Sequence, residues 1–512
     1  MVKDDIEDFL KTAAQPVVIE PGEDPLPIRA DKFVLGARNG GACTLECWDE
    51  TRNLVRRIRA VGKVRRGLLE LEVERFGGRT GSLLLIDLAH ASNAPAARHG
   101  ARLKYRERFR MSLRRQYSDW KLVELSTEPD LHHSLSPAYP RALLRRGSQA
   151  IAAICAGEDA VDVDGVLSFG LIWLDYLRRR ETRLSVGTLA VFVPIGTENT
   201  TCHRVRYLSK SAAHYRVFVH GAGILEEPVD PGDYTNLSTR LDPFCTPSLS
   251  NVSDPELAAW LDHLSAVEGV ERRPRADGSI SLAVRGLEFA RTSGSTLGSG
   301  LLFGIDERHI AGPQQLSEIE SLAKGLSRLR NAASADRANP LYLRHPEAWL
   351  ESQVRTSASR LDASIRDAPL YGQAPHFAAG SRGILDVLAA DYQGRLVVIE
   401  VKASEDIHLP LQALDYWMRV KWHLERGEFE GRGYFPGIPL LTDPPRILLV
   451  APALDFHPSN ETVLRYFSPE IHVERIGVGI QWRQELQVMF RAPSAQLQPW
   501  PSQSSGKSDK RW

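Results

Sequence analysis

No apolar run in the 512-residue chain reaches the roughly 18 residues needed to span a bilayer. The start, Met1-Val-Lys-Asp-Asp-Ile-Glu-Asp8, is acidic and lacks the apolar core of a signal peptide. The reading is a soluble, cytoplasmic protein with no membrane partner. Cysteine is scarce: five residues cannot make a disulfide framework. Cys43 and Cys47 are the one close pair, Cys202 adjoins His203, and no second pair stands at zinc-ribbon spacing, so reduced cysteines in a sheet are expected. Net charge is also lacking, with 64 Lys+Arg against 64 Asp+Glu. What is present is globular: 43% hydrophobic and 25% charged residues exclude a disordered chain, a collagen or a coiled-coil rod. The length implies about three domains.

Residues 1–30 are acidic and proline-rich and read as an arm with a linker. Residues 31–98 read as a β-meander, because Leu69, Leu71 and Val73 alternate with Glu70, Glu72 and Glu74 before a turn at Gly77–Gly81. Residues 99–240 read as an α/β domain with strands at Leu184–Pro194 and Tyr215–His220 flanking a helix at Arg204–Tyr207. Residues 241–338 read as a small α+β connecting region. Its stretch Thr292–Gly300 is rich in Ser and Gly and is expected to be flexible, and its helix, Gln314–Asn331, carries apolar residues at helical spacing. Residues 339–491 read as a second α/β domain, and 492–512 as a disordered tail.

The zero net charge hides a local excess. From Arg52 to Arg115 there are 17 Lys/Arg against 5 Asp/Glu. Arg102, Lys104, Arg106, Arg110 and Arg114 crowd one expected helix, Arg102–Tyr117, with Tyr105, Phe109 and Tyr117 interleaved. Clustered cations suffice for phosphate binding, so these five residues are candidates for nucleic-acid contact. The alternative is a solvated face offset by the acidic arm.

The chemistry lies in Gly383-Ile-Leu-Asp-Val-Leu-Ala-Ala-Asp-Tyr-Gln-Gly-Arg-Leu-Val-Val-Ile-Glu-Val-Lys402. Two apolar runs flank Asp391–Arg395, whose Gly394 suits a bulged hairpin turn. If Ala390 pairs with Leu396, Asp386 sits opposite Glu400 on one face, and Lys402 points to that face as well. Opposed like charges destabilise a sheet. Val397, Ile399 and Val401 face a core, and two carboxylates so placed are best explained by a divalent cation. Hard oxygen ligands with room for water suit Mg²⁺ or Mn²⁺, and the Val401 carbonyl can complete the shell. Lys402 would orient or help deprotonate a water, or stabilise charge on a phosphate. The helix that follows puts Gln412 and Tyr416 on one face, and an upstream helix from Pro346 carries Glu347 and Glu351.

Asp386, Glu400-Val-Lys402 and Gln412-Ala-Leu-Asp-Tyr416 resemble the D…(D/E)xK…QxxxY signature of the PD-(D/E)XK nuclease superfamily, in its RecB-like branch. The pattern Gly383-x-x-Asp386-x-x-x-x-Asp391-x-x-Gly394 is similar to that of the NucS/EndoMS catalytic domain. The resemblance covers about residues 340–480. It implies a restriction-endonuclease-like fold and a Mg²⁺- or Mn²⁺-dependent deoxyribonuclease acting on DNA. It also implies Asp386 and Glu400 as metal ligands, Lys402 as catalytic lysine, Gln412 and Tyr416 steadying the site, and a Glu of the first helix joining the metal shell. Glu351 is preferred to Glu347, since Leu350 and Val354 orient it toward the sheet. Ala403-Ser-Glu-Asp406 is acidic where the NucS-like pattern tends to be basic.

A degenerate first copy is expected from a second comparison. Ile154-Cys-Ala-Gly-Glu-Asp159 matches Val401-Lys-Ala-Ser-Glu-Asp406, and Leu174-Asp-Tyr176 matches Leu414-Asp-Tyr416. Leu189–Pro194 likewise matches Ile447–Pro452. On this alignment Cys155 replaces Lys402 and Ala153 replaces Glu400, so the first copy holds no metal. The plainer reading is that any two α/β units share such apolar strings. The expected architecture is therefore mixed α/β, with an N-terminal β-rich region and a C-terminal nuclease-like domain. A non-catalytic nucleic-acid-binding or interaction protein that keeps the fold is the second reading. A decayed site loses its charges first, and all five signature residues are present. Oligomeric state is left open.

Overall fold

The computed structural model describes residues 2–497 apart from 20–25, 30–31, 38–42, 49–52, 66, 75–79, 88–94, 158–162, 222–223, 245–253, 275–278, 296–297, 313, 375–376, 379–384 and 496. The acidic Glu20–Asp24, the glycine turn at Gly77–Arg79 and most of the expected tail lie outside the described residues. The chain is mixed α/β and divides into two compact units, Met1–Glu198 with Tyr215–Val229 and Asn199–His214 with Asp230–Trp512.

The first unit opens with a seven-stranded sheet whose neighbouring strands all run antiparallel. Leu69, Leu71 and Val73 are buried in strand Leu68–Glu74, as the alternation requires. The stretch expected as an arm folds instead: helix Val2–Thr12 drops Ile6 into the same core, and strand Pro16–Ile19 pairs with Thr80–Asp87. Asp87 fastens it by accepting bonds from the Ala14 and Gln15 amides at 3.2 and 2.8 Å. Cys43 and Cys47 are buried, unbridged, on strand Cys43–Trp48.

The basic helix follows as α1 (Pro95–Gln116). It turns Phe109 and Leu113, with Tyr117 just beyond its end, into a core shared with Phe192 and Phe218. A six-stranded sheet then forms from β1 (Lys121–Ser126), β2 (Arg141–Arg146), β3 (Gln149–Cys155), β4 (Ser185–Pro194), β5 (His214–Gly221) and β6 (Ile224–Val229), adjacent in that order. The first three strands are antiparallel, and helix α2 (Val166–Arg180) crosses over to make β4 parallel to β3.

In the second unit a five-stranded antiparallel sheet packs on helices Pro255–Ser265 and Leu316–Leu329 through Leu257, Leu261, Phe289, Ile319 and Leu326. The stretch expected to be flexible forms the tip half of a hairpin there, Leu287–Ser295 against Gly298–Phe303. Paired backbone satisfies its polar groups whatever its small side chains would prefer alone.

The second α/β sheet has the strand order of the first: β7 (Tyr371–Ala374), β8 (Leu385–Ala390), β9 (Leu396–Val401), β10 (Arg446–Pro452), β11 (His472–Val478) and β12 (Val488–Pro493). β8 and β9 form the expected hairpin, with Ala390 opposite Leu396 and Val387 opposite Ile399. Helix α3 (Pro346–Thr356) covers one face, where Trp349, Leu350 and Val354 meet Val387, Ala389, Val397, Ile399 and Val401. Helix α4 (Leu409–Glu425) crosses over from β9 to β10, burying Leu409, Ala413, Trp417 and Val420.

Strand register corrects the alignment of the two α/β sheets by one residue. Cys155 pairs with Phe192 and Val401 with Val450, and the next amide in each case, Ala156 and Lys402, donates to that same partner's carbonyl at 2.9 Å. Lys402 therefore corresponds to Ala156 rather than Cys155, and Glu400 to Ile154 rather than Ala153. Because side chains alternate across a strand, the slip had placed core-facing Ala153 and Cys155 against residues of the opposite face.

Gly394 closes the β8–β9 hairpin at φ +94°, and a Cβ there would stand 2.1 Å from the Pro439 carbonyl oxygen. Gly427, just beyond α4, has φ +64° with nothing within 4 Å of its Cβ position. Gly427→Ala should cost about 1–2 kcal/mol, the left-handed penalty alone. Gly394→Ala should cost clearly more, read by urea denaturation, and equal losses would contradict this geometry.

Candidate active site

The hairpin carries the cluster. Extending its register by one step sets Asp386 opposite Glu400 at the open end of the strands. Asp386 Oδ2 accepts a hydrogen bond from the Val401 amide at 2.8 Å, which fixes its carboxylate at the end of the neighbouring strand. Val401 thus enters the site through its N–H, while its side chain stays in the core. Glu400 is 2% exposed, and its Oε2 has no hydrogen-bond partner. The Oε1 of Gln412, on α4, is likewise buried without a partner.

Burial pushes the Asp386 carboxyl up to about 7, with the charge of Glu351 adding to the shift against the opposing Val401 bond. Burial and the neighbouring Asp386 push Glu400 well above the usual carboxylate range. The Tyr416 phenol is raised by burial and by the charges of Glu400 and Asp386, so it stays protonated at neutral pH. Lys402 behaves differently. Burial opposes its charge, but Glu400, Glu347 and Asp406 outweigh that and hold the ammonium above its ordinary value. Its Nζ lies 3.7 Å from Glu347 Oε2 and 3.8 Å from Asp406 Oδ2. The acidic segment after the lysine is thereby explained: Asp406 is an ion-pair partner for Lys402. Held as an ammonium in the metal-free chain, Lys402 is placed to donate hydrogen bonds.

Glu351 is brought to the cluster and buried, as Leu350 and Val354 dictate. Its carboxylate also faces two guanidinium groups, Arg273 Nη1 at 3.5 Å and Arg355 Nη1 at 3.7 Å. Arg273 comes from strand Val270–Pro274, and no pattern in the sequence announces a contact across 78 residues. A second unannounced contact is the bidentate grip of Arg204 on Asp415, the residue before Tyr416, at 2.9 and 2.7 Å. It anchors the outer side of α4.

Among the described residues no group of three or more His, Cys, Asp or Glu is arranged to hold a metal. Asp386 and Glu400 nevertheless fit a hard cation. They are two adjacent acids, Asp386 half-buried and Glu400 buried with an orphaned oxygen, and Mg²⁺ commonly binds through one or two carboxylates plus water and substrate phosphate. The basic helix lies in the first unit. The side chains of Arg102 and Lys104 fall outside the described residues, Arg106 is half-buried, Arg110 pairs with Glu107 at 3.2 Å, and Arg114 is exposed. Comparison with known protein families and with curated proteins gives no match.

A raised carboxyl pKa makes the folded state bind protons that the unfolded state has released. Metal-free protein should therefore lose stability as pH rises from about 4 to about 7, and Asp386→Asn should flatten part of that slope. Urea titrations in EDTA across this range test it, and identical slopes for parent and variant would contradict the raised carboxyl of Asp386.

Proposed function

We propose that the second α/β domain is a divalent-cation-dependent nuclease of PD-(D/E)XK type that hydrolyses phosphodiester bonds in DNA. The observation that carries this reading is the pair of opposed acids, half-buried Asp386 and buried Glu400, with the ammonium of Lys402 beside them. Uncompensated, the pair must take up protons. With a cation it can stay ionised, and the cation's charge also offsets part of the burial cost.

Asp386 and Glu400 would hold Mg²⁺ or Mn²⁺. When bound, such a cation polarises a phosphoryl oxygen and lowers the pKa of water. The chain's own groups do the rest. Lys402, steadied between Glu347 and Asp406, donates to charge developing on the phosphate. The Tyr416 phenol offers a second donor, and Gln412 stands one helical turn before it on α4. Glu351, countered by Arg273 and Arg355, adds less negative charge than a bare carboxylate would, which leaves Asp386 and Glu400 as the principal ligands.

A cleavage assay with Mg²⁺ or Mn²⁺ on single-stranded, duplex and branched DNA tests the reading. Asp386→Asn and Glu400→Gln should each abolish cleavage while far-ultraviolet circular dichroism stays unchanged. Lys402→Ala should lower kcat by about 10²–10³, the loss typical of one transition-state donor. DNA binding without metal-dependent cleavage by the parent would favour the non-catalytic reading.

The basic helix α1 supplies a separate expectation. Arg106, Arg110 and Arg114 together replaced by Glu should weaken binding to all duplex sequences alike and flatten the salt dependence, by about 0.9 in slope for each lost phosphate contact. Unchanged binding with lowered stability would instead mean that these arginines serve the fold, as Arg115 does by pairing with Glu226.

A further inference from the structure

The first α/β sheet matches the second beyond its strand order. One 258-residue offset relates Pro194 to Pro452 and His214 to His472, so the β4–β5 and β10–β11 connections are of equal length. Beyond each proline the next amide donates across the sheet in the same way, Ile195 to His220 O and Ala453 to Val478 O, both at 2.8 Å. With Ala156 in the place of Lys402 and Ile154 in that of Glu400, the residue paired with Ile154 stands in the place of Asp386. That residue is Arg141.

Arg141 is 5% exposed. Its Nη2 donates to the Glu128 carbonyl at 2.6 Å, its Nε and Nη1 are buried without partners, and its guanidinium lies 5.5 Å from the Trp173 ring centroid. Glu124, Asp130 and Tyr176 lie within electrostatic reach of it. Tyr176 thus neighbours Arg141 as Tyr416 neighbours Asp386. Every charged group of the hairpin site is replaced in the first repeat, and the metal-ligand position has changed sign.

We propose that the first α/β repeat is a copy of the second in which the Arg141 guanidinium stands in for the cation, so that each chain binds one divalent ion and carries one hydrolytic centre. The proposal rests on the reading of Asp386 and Glu400 as the cation site of the second repeat. A guanidinium fixed in this position repels an incoming dication and removes the carboxylate that would hold it.

Mn²⁺ binding to the full chain, counted by electron paramagnetic resonance of the unbound ion, tests it. The parent should bind one Mn²⁺, Glu400→Gln none, and the combined Arg141→Asp, Ile154→Glu and Ala156→Lys variant two. Two ions in the parent, or one retained by Glu400→Gln, would overturn the proposal whether or not the triple variant folds. No ion in the parent would overturn the reading of the second repeat instead. In that event a triple variant that folds and binds one ion upholds the correspondence, and one that binds none overturns it. A triple variant that fails to fold passes the decision to single substitutions. Arg141→Lys should keep the thermal midpoint of the first unit and Arg141→Met should lower it, whereas equal midpoints would show that no cation is needed there.

Discussion

Two carboxylates cannot both stay ionised side by side in a buried hairpin without a positive partner, and the second α/β domain is arranged around that constraint. Asp386 and Glu400 are placed by backbone pairing, not by side-chain choice, because β8 and β9 lock their register through four successive residue pairs. The apolar face beneath them, packed on Trp349, Leu350 and Val354, leaves no room to slide by one residue without turning valines to the polar side. The acids are therefore held opposite one another by the core of the domain. Their shared response, a rise toward the protonated form, is the electrostatic cost of that placement.

Surrounding groups divide the compensation. Lys402 has carboxylates on several sides and remains an ammonium, and Glu351 is met by guanidinium groups. Among the buried atoms left without a hydrogen-bond partner are Glu400 Oε2 and Gln412 Oε1. Buried polar atoms without partners are rare in folded proteins and ask for a reason. A ligand that supplies positive charge at that spot answers for both the orphaned oxygen of Glu400 and the displaced protonation of its neighbour.

Much of this was legible in the sequence where the information is local. The alternation Leu69–Val73, the hairpin around Gly394 and the spacing of Gln412 and Tyr416 are short-range patterns, and the folded chain follows them. Failures came where tertiary pairing decides. The Ser- and Gly-rich hairpin near residue 295 has weak strand propensity but gains backbone partners, and the acidic N-terminus hides Ile6 within a polar helix. Arg273, Arg204 and Asp406 could be assigned no role in advance, since their partners lie elsewhere in the chain or beyond a turn. The match between repeats was visible as apolar strings, but one residue of slip separates a core alanine from a site position. Only hydrogen-bond register distinguishes the two.

The central claim is that Asp386 and Glu400 form a cation site, and crystals soaked in Mn²⁺ and measured for anomalous scattering address it most directly. The account predicts a strong peak within coordination distance of both carboxylates, between the Mg²⁺ and Ca²⁺ ranges of about 2.0 and 2.6 Å, with Glu400 Oε2 among the ligands. A map with no peak between these side chains at saturating Mn²⁺ would contradict it.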